Sequence, residues 1–320
     1  MSHIVSRRAA VFGIAAAASA FAIPRTARAE PTLLRASIIP IFDVAPMYAA
    51  SAQGYLAAET LSMTTQAITT GAVGIPALLS GAFDVVYSNS TSVLAAIAQG
   101  LDLRIILEGA VTQPKARSPV ALFARRGEPL RTGKDFEGKT IAVNGIRNVQ
   151  WMVMRTWVKE TGGNPDKVEY LEVPLPAMVE AIKAKRVDAA LLIDPLTTLA
   201  LTDPAVELVD YVFKRSYNGG ATAFWVATGQ MVAQRPQIIR GFQRAYKRGV
   251  AWCDANLGKP AYVDLLASYT HLEPALITRM QLGSFITASV TPSSVAKLQE
   301  LMVENGLLQK PLDLTGKIFT

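Results

Sequence analysis

Residues 33–68 read LLRASIIPIFDVAPMYAASAQGYLAAETLSMTTQAI, and this stretch sets the fold class. Leu33 to Ile41 is a β-rich run of strand length. Pro46 to Glu59 reads as a helix, with proline in its first turn, where a missing N–H costs nothing. Leu61 to Ile68 returns to a strand. A strand, a helix and a strand in so short a span predict α/β layers around a parallel sheet.

The alternation continues along the chain. Thr70-Gly71 leads into a helix over Ala72 to Ser80, which Gly81 stops in the usual C-terminal position. Asp84 to Tyr87 is a third strand, and Ser88-Asn89-Ser90-Thr91-Ser92 caps a helix that runs to Gln99. Leu103 to Gly109 is a fourth strand. A second, similar series follows: strands over Pro119 to Ala124 and Thr140 to Val143, a helix over Asn148 to Lys159, and a strand over Val168 to Val173. A helix over Ala177 to Lys185 and a strand over Ala189 to Ile193 complete it. After Tyr217-Asn218-Gly219-Gly220 comes one more strand, Ala223 to Ala227, and from about Pro236 the chain is helical to near its end. The octapeptides from Ala77 to Asp84 and from Ala181 to Asp188 echo one another, each a helix end, a turn and an aspartate opening a buried strand.

Composition narrows the function. The first 29 residues hold Arg7, Arg8, Arg25 and Arg28 and no acid; without them the net charge of +7 falls to +3, so the basic balance is no nucleic-acid footprint. Ser6-Arg7-Arg8, an apolar stretch over Ala9 to Ile23 and the small-x-small site Ala27-Arg28-Ala29 form the parts of a secretory signal, expected to be cleaved near Ala29. The paired arginines point to the twin-arginine route. Cys253 is the single cysteine, so no intramolecular disulfide forms, and its helical stretch makes it a buried thiol. With His3 lost in the signal, His271 is the one remaining histidine. A Cys/His metal site and a Cys–His nucleophile pair are therefore not expected. No Ser-His-Asp set and no phosphate-binding glycine loop is evident, and no cofactor is expected.

Ala45-Pro46-Met47-Tyr48-Ala49-Ala50, Gln53-Gly54-Tyr55-Leu56, the stretch from Ala77 to Asp84, Asp135 to Val143, and Val187-Asp188-Ala189-Ala190 up to Asp194-Pro195 resemble, in this order, one family. It comprises the extracytoplasmic solute-binding proteins of ABC importers, in the branch for sulfonates, nitrate, taurine and thiamine-precursor pyrimidines (NMT1/THI5-like). The resemblance implies a two-lobed periplasmic-binding-protein fold of type II, each lobe a mostly parallel sheet flanked by helices. Residues 30–117 and 221–320 would form lobe 1 and residues 118–220 lobe 2. The crossings would lie near Ala116 to Pro119 and near Tyr217 to Ala221.

In such a fold, ligands sit beyond the carboxyl ends of the strands, beside helix N-termini. Phe42 and Asp43 follow the first strand, Thr70 and Gly71 the second, and Ser88, Asn89 and Ser90 the third. Asn144, Arg147 and Asn148 follow the strand after the crossing, and Asp194 stands at the mouth of the second lobe. Each has a plainer alternative. Ser88, Ser90 and Thr91 are suited to capping a helix, and Asp84 and Asp188 to forming turns. Phe42 and Tyr48 serve either as an aromatic wall or as core. Trp157 reads as core. Arg147 stands where a cation opposes the helix dipole, so it either binds an acidic group of the solute or points to solvent. Asp43 in the opposite loop repels a plain inorganic anion unless the ligand also carries a donor.

The resemblance implies a periplasmic, non-enzymatic binding protein, expected to be monomeric. It would deliver a small polar organic solute, such as a sulfonate or carboxylate, to the permease and ATPase subunits of an importer. The alternatives are a pyrimidine-synthase-like enzyme of the same fold, whose cysteine-rich motif this chain lacks, and a ligand-sensing module.

Overall fold

The computed structural model describes residues 30–68, 71–111, 118–280, 282 and 289–319. The expected signal, Thr70 and the start of the first expected crossing lie outside them. The first series is β1 (Thr32–Ile38), α1 (Ala45–Ala52), α2 (Tyr55–Ala58), β2 (Leu61–Ala67), α3 (Gly71–Leu79), β3 (Val85–Asn89), α4 (Ser90–Ala98) and β4 (Leu103–Val111). The second opens with β5 (Val120–Arg125), β6 (Thr140–Val143), α5 (Val149–Glu160), β7 (Glu169–Glu172) and α6 (Met178–Lys183). It ends with β8 (Ala189–Ile193), α7 (Leu196–Ala200), β9 (Val206–Asp210) and α8 (Val212–Ser216). The chain returns through β10 (Ala221–Thr228) to α9 (Gly229–Gln234), α10 (Pro236–Asn256), α11 (Pro260–Thr270), α12 (Pro274–Ile277) and α13 (Pro292–Glu304).

Local sequence accounts for the boundaries. Proline occupies the first turn of α1, α10, α11, α12 and α13, where no intrahelical N–H is missed. The single helix expected over Pro46 to Glu59 is divided, because Gly54 adopts φ +71° between α1 and α2, a conformation glycine takes without strain. Along α10, Ile239, Phe242, Tyr246, Val250 and Cys253 are buried at helical spacing. Cys253 is thus the interior thiol its pattern predicts.

The strands form two five-stranded sheets, ordered β2-β1-β3-β10-β4 and β7-β6-β8-β5-β9. In the first, β2, β1 and β3 pair parallel, and β10 runs antiparallel to both β3 and β4. In the second, β7, β6 and β8 pair parallel, and β5 runs antiparallel to both β8 and β9. Each sheet therefore has one reversed strand, and in each it is a strand beside a passage between the sheets: β5 on the way out, β10 on the way back. The octapeptide echo falls on equivalent positions, α3 into β3 and α6 into β8. Asp84 and Asp188 stand at the starts of those strands, and each carboxylate accepts the backbone N–H of the neighbouring strand, from Arg35 at 2.8 Å and from Thr140 at 2.9 Å. They pin strand register, as turn-forming residues should.

One apolar core lies against both sheets. It runs from Ile75, Val86, Val93 and Ile105 to Leu122, Ile141, Met152 and Trp157, and takes in Val295, Leu298 and Met302 of α13. The return passage is held to the first sheet's helix α4, since Ser90 Oγ and Tyr217 OH both donate to the Ala221 carbonyl, at 2.6 Å each. Two further cores back the sheets, one under α1, α10 and α11 and one under α6 and α7.

Candidate functional site

At the ligand end of the first sheet, the chain leaves β1 through Pro40 and Ile41 into a short 3-10 turn, Phe42–Val44, and then into α1. At the matching end of the second sheet, β8 runs into Asp194-Pro195, a cis peptide bond, and α7. Pro40, Ile41 and Phe42 face Asp194 and Pro195 across a cavity of about 140 Å³. Leu266 and Thr270 of α11, with Leu272, Ile277 and Met280, form the remaining wall. The cavity thus lies between the carboxyl ends of one strand from each sheet, where ligands of open α/β sheets bind. Its lining is mostly apolar, with the Asp194 carboxylate and the Thr270 hydroxyl as its polar side chains. The Asp194 carboxylate accepts from the backbone N–H and the hydroxyl of Thr198, at 2.8 and 2.7 Å.

Two residues singled out in the sequence, Phe42 and Asp194, meet in this cavity. Phe42 also belongs to the core behind it, so its two readings coincide. Beside it, Asp43 accepts a hydrogen bond from Tyr87 OH at 3.1 Å. Burial pushes the Asp43 carboxyl up to about 6, against the opposing effect of that bond. Burial raises the phenols of Tyr87, Tyr246, Tyr262 and Tyr269, and the charge of Asp43 adds to that rise. Tyr48 stacks on Tyr269 with ring centroids 4.0 Å apart and planes 4° from parallel. Tyr269 OH donates to the Ile41 carbonyl at 3.2 Å, tying this aromatic pair to the β1 loop.

The other expected residues have local partners. Asn89, and neither Ser88, Ser90 nor Thr91, caps α4, accepting from Ser92 N–H at 2.9 Å and Thr91 Oγ1 at 2.8 Å. Ser88 and Ser90 are fully buried, and Ser90 is the residue already bonded to Ala221. Gly71 opens α3. Asn148 caps α5 through Trp151 N–H at 3.0 Å and donates to Asn144 Oδ1 at 2.7 Å. Gln150 Oε1 accepts the Asn144 N–H at 3.0 Å. Arg147, read in the sequence as either a solute ligand or a solvent-facing side chain, is exposed. It adopts φ +61° just before the cap and turns its exposed side chain to the carbonyl of Gly306, at 3.2 Å. Gly306 lies just past the end of α13, where a cation complements the helix dipole. The cation that seemed misplaced at the start of α5 thus has a structural partner 159 residues further on.

The sequence reading missed the wall made by Leu266, Thr270, Ile277 and Met280. Helical periodicity marked these segments as helices, but nothing local said which sheet end they cover.

Two sheets of this order, joined by two passages and meeting at a cavity at their strand ends, define the periplasmic-binding-protein fold. The periplasmic aliphatic sulphonate binding protein SsuA from Escherichia coli aligns with a TM-score of 0.72 at 18% identity, over 90% of this chain and 98% of that one. The periplasmic nitrate-binding protein NrtA from Synechocystis PCC 6803 aligns with a TM-score of 0.71 at 14% identity, over 87% and 83%. The chain belongs to the NMT1/THI5-like family, whose model matches residues 41–256. Among characterised sequences, the riboflavin-binding protein RibY of Chloroflexus aurantiacus is 29% identical over 234 residues. That alignment covers 71% of this chain and 65% of RibY, so the chain spans less than two thirds of that relative's length.

Proposed function

We propose that this protein is the exported substrate-binding component of an ABC-type importer, capturing a small organic solute between its two sheets and presenting it to a permease and its ATPase. Lobe 1 would comprise residues 30–117 and 221–320, and lobe 2 residues 118–220. The observation that carries the reading is the cavity between Phe42 after β1 and Asp194-Pro195 after β8. Family membership and the names of the similar proteins support it. The apolar lining favours a solute with an apolar body, because burying such a surface supplies affinity that a bare inorganic ion cannot draw on.

A simple anion such as nitrate is the competing reading, supported by the likeness to NrtA. The described residues lining the cavity include an aspartate and no lysine or arginine, which weighs against it. Thermal melting with riboflavin, an alkanesulfonate, MOPS and nitrate separates the two. A solute at 100 times its dissociation constant adds about 2.7 kcal/mol of stability. An organic member of the panel is expected to raise the melting temperature and nitrate to leave it unchanged. Stabilisation by nitrate alone would reverse the choice, and stabilisation by none of them would remove support for a binding protein of this class.

A further inference from the structure

The carboxylate of Asp43 belongs to the short 3-10 turn after β1. It sits on the turn that enters the cavity from β1, beside the lining residues Ile41 and Phe42. Tyr87 from β3 bonds to it, and its charge bears on the phenols of Tyr246 from α10 and of Tyr262 and Tyr269 from α11. Among the described residues, only Tyr87 donates to it. No lysine, arginine or histidine lies within ion-pair distance of it among the described residues. The strand β4 also packs near this turn, but its own acid, Glu108, turns away to Ser294 Oγ. Asp43 is only partly buried, and a carboxylate with one phenol bonded keeps acceptor capacity for a further donor.

We propose that Asp43 selects the solute, accepting a hydrogen bond from a cationic or N–H-bearing nitrogen, such as an amine, an amidine or the N–H edge of a heterocycle. This deepens the cleft reading above and rests on it. The stacked pair Tyr48–Tyr269 is tied through Tyr269 OH to the carbonyl of Ile41, two residues before Asp43, so a flat body carrying the nitrogen finds aromatic surface on the same loop as its charge partner. A nitrogen donor restores to Asp43 what burial removes, and a carboxylate or sulfonate in the same place would meet like charge. The class of solute is therefore set by the first sheet's side of the cleft. Arg147, engaged at Gly306, takes no part.

Benzamidine and benzoate make the test, because they are near-isosteric planar molecules of opposite hydrogen-bonding character. Each is titrated at millimolar concentration into the parent protein by calorimetry and by thermal melting, from about pH 8 down to about pH 5. Benzamidine is expected to bind and benzoate not. The preference should fall about tenfold or more across this range, as Asp43 takes up a proton. Asp43→Asn should abolish the preference at every pH. Tyr87→Phe keeps the carboxylate and removes the bond that holds its pKa down, so the pH midpoint of benzamidine binding should move up. That shift is readable even if the asparagine variant folds poorly. Benzoate binding as well as benzamidine, a preference that survives Asp43→Asn, or an unmoved midpoint in Tyr87→Phe would each overturn the assignment while leaving the cleft intact. Binding of neither probe would overturn it too, and would count against the cleft itself.

Discussion

Beyond β6, Asn144, Asn148 and Gln150 hydrogen-bond to one another and to the start of α5, and Arg147 is held at the end of α13. Beyond β1, the Asp43 carboxylate has one phenol for a partner among the described residues. The two sheets share a strand order and a pinning aspartate, yet their ligand ends differ in this respect. In one, side-chain amides bond to one another and shape the loop, leaving Gln150 Nε2 buried without a partner among the described residues; in the other, a partly buried carboxylate is bonded to a phenol. On the reading proposed above, a duplicated architecture gives one half the task of holding shape and leaves the other to recognise the solute.

The comparison can be broken first at the shared core. Trp157 is fully buried, packs edge-on against Phe136 and donates its indole N–H to Asp210 at 2.8 Å. Trp157→Ala should cost about 3–5 kcal/mol. Because the core is continuous from one sheet to the other, urea unfolding of the variant should remain a single transition at lower midpoint. Two separated transitions would mean that the sheets fold as independent units.

A close-approach glycine on each side sharpens it further. A Cβ at Gly249 of α10 would lie 2.0 Å from the Pro46 carbonyl of α1, and one at Gly163 would lie 2.1 Å from the Gly133 carbonyl. Either alanine substitution should cost about 1–3 kcal/mol by overpacking. Gly249→Ala displaces α1 and with it the Asp43 turn, so it should also weaken benzamidine binding; Gly163→Ala should not. Equal losses of binding in calorimetry would contradict the assignment of recognition to the first sheet.

Asp43 also gives a pH signature. Its folded pKa of about 6 lies above the ordinary 3.8, so the folded state holds the proton more tightly than the unfolded chain. This contribution is fully present below about pH 4 and is lost as pH rises through about 6. Asp43→Asn should match the parent below about pH 4 and exceed its stability by about 3 kcal/mol near pH 8. Denaturant midpoints at the two pH values check it, and a variant less stable at the higher value would show that the charged carboxylate is a structural necessity. The smallest effect belongs to Arg147→Ala, expected to cost about 0.3–1 kcal/mol through the end of α13 and to leave solute binding unchanged in titration.

Much of the fold was legible because its signals are local. Alternating strand and helix patterns, prolines in first turns and the echo between Asp84 and Asp188 placed most of the strands and the symmetry between the sheets. The strand β9 (Val206–Asp210) was missed, since two of its five residues are acidic and it lies at the edge of its sheet. The cap of α4 was ambiguous because Ser88, Asn89, Ser90 and Thr91 can all cap, and only the backbone path selects Asn89. For the candidate site, the loops beyond the strands could be named, but not the contact between Arg147 and Gly306. That contact joins residues distant in sequence, as do the cavity walls from α11 and α12. Asp43 was identified as the group that opposes an inorganic anion, while the tyrosines its charge bears on, drawn from three other elements, could not be read from spacing.

Hydrogen exchange with and without benzamidine tests the central claim, that solute is held between the carboxyl ends of β1 and β8 with recognition from the first side. Binding should slow exchange in two separate segments, the turn and first helix over residues 41–48 and the stretch over residues 193–198. Protection should be stronger in the first and should vanish in Asp43→Asn. Protection confined to one sheet, or centred on Arg147 and the start of α5, would contradict it.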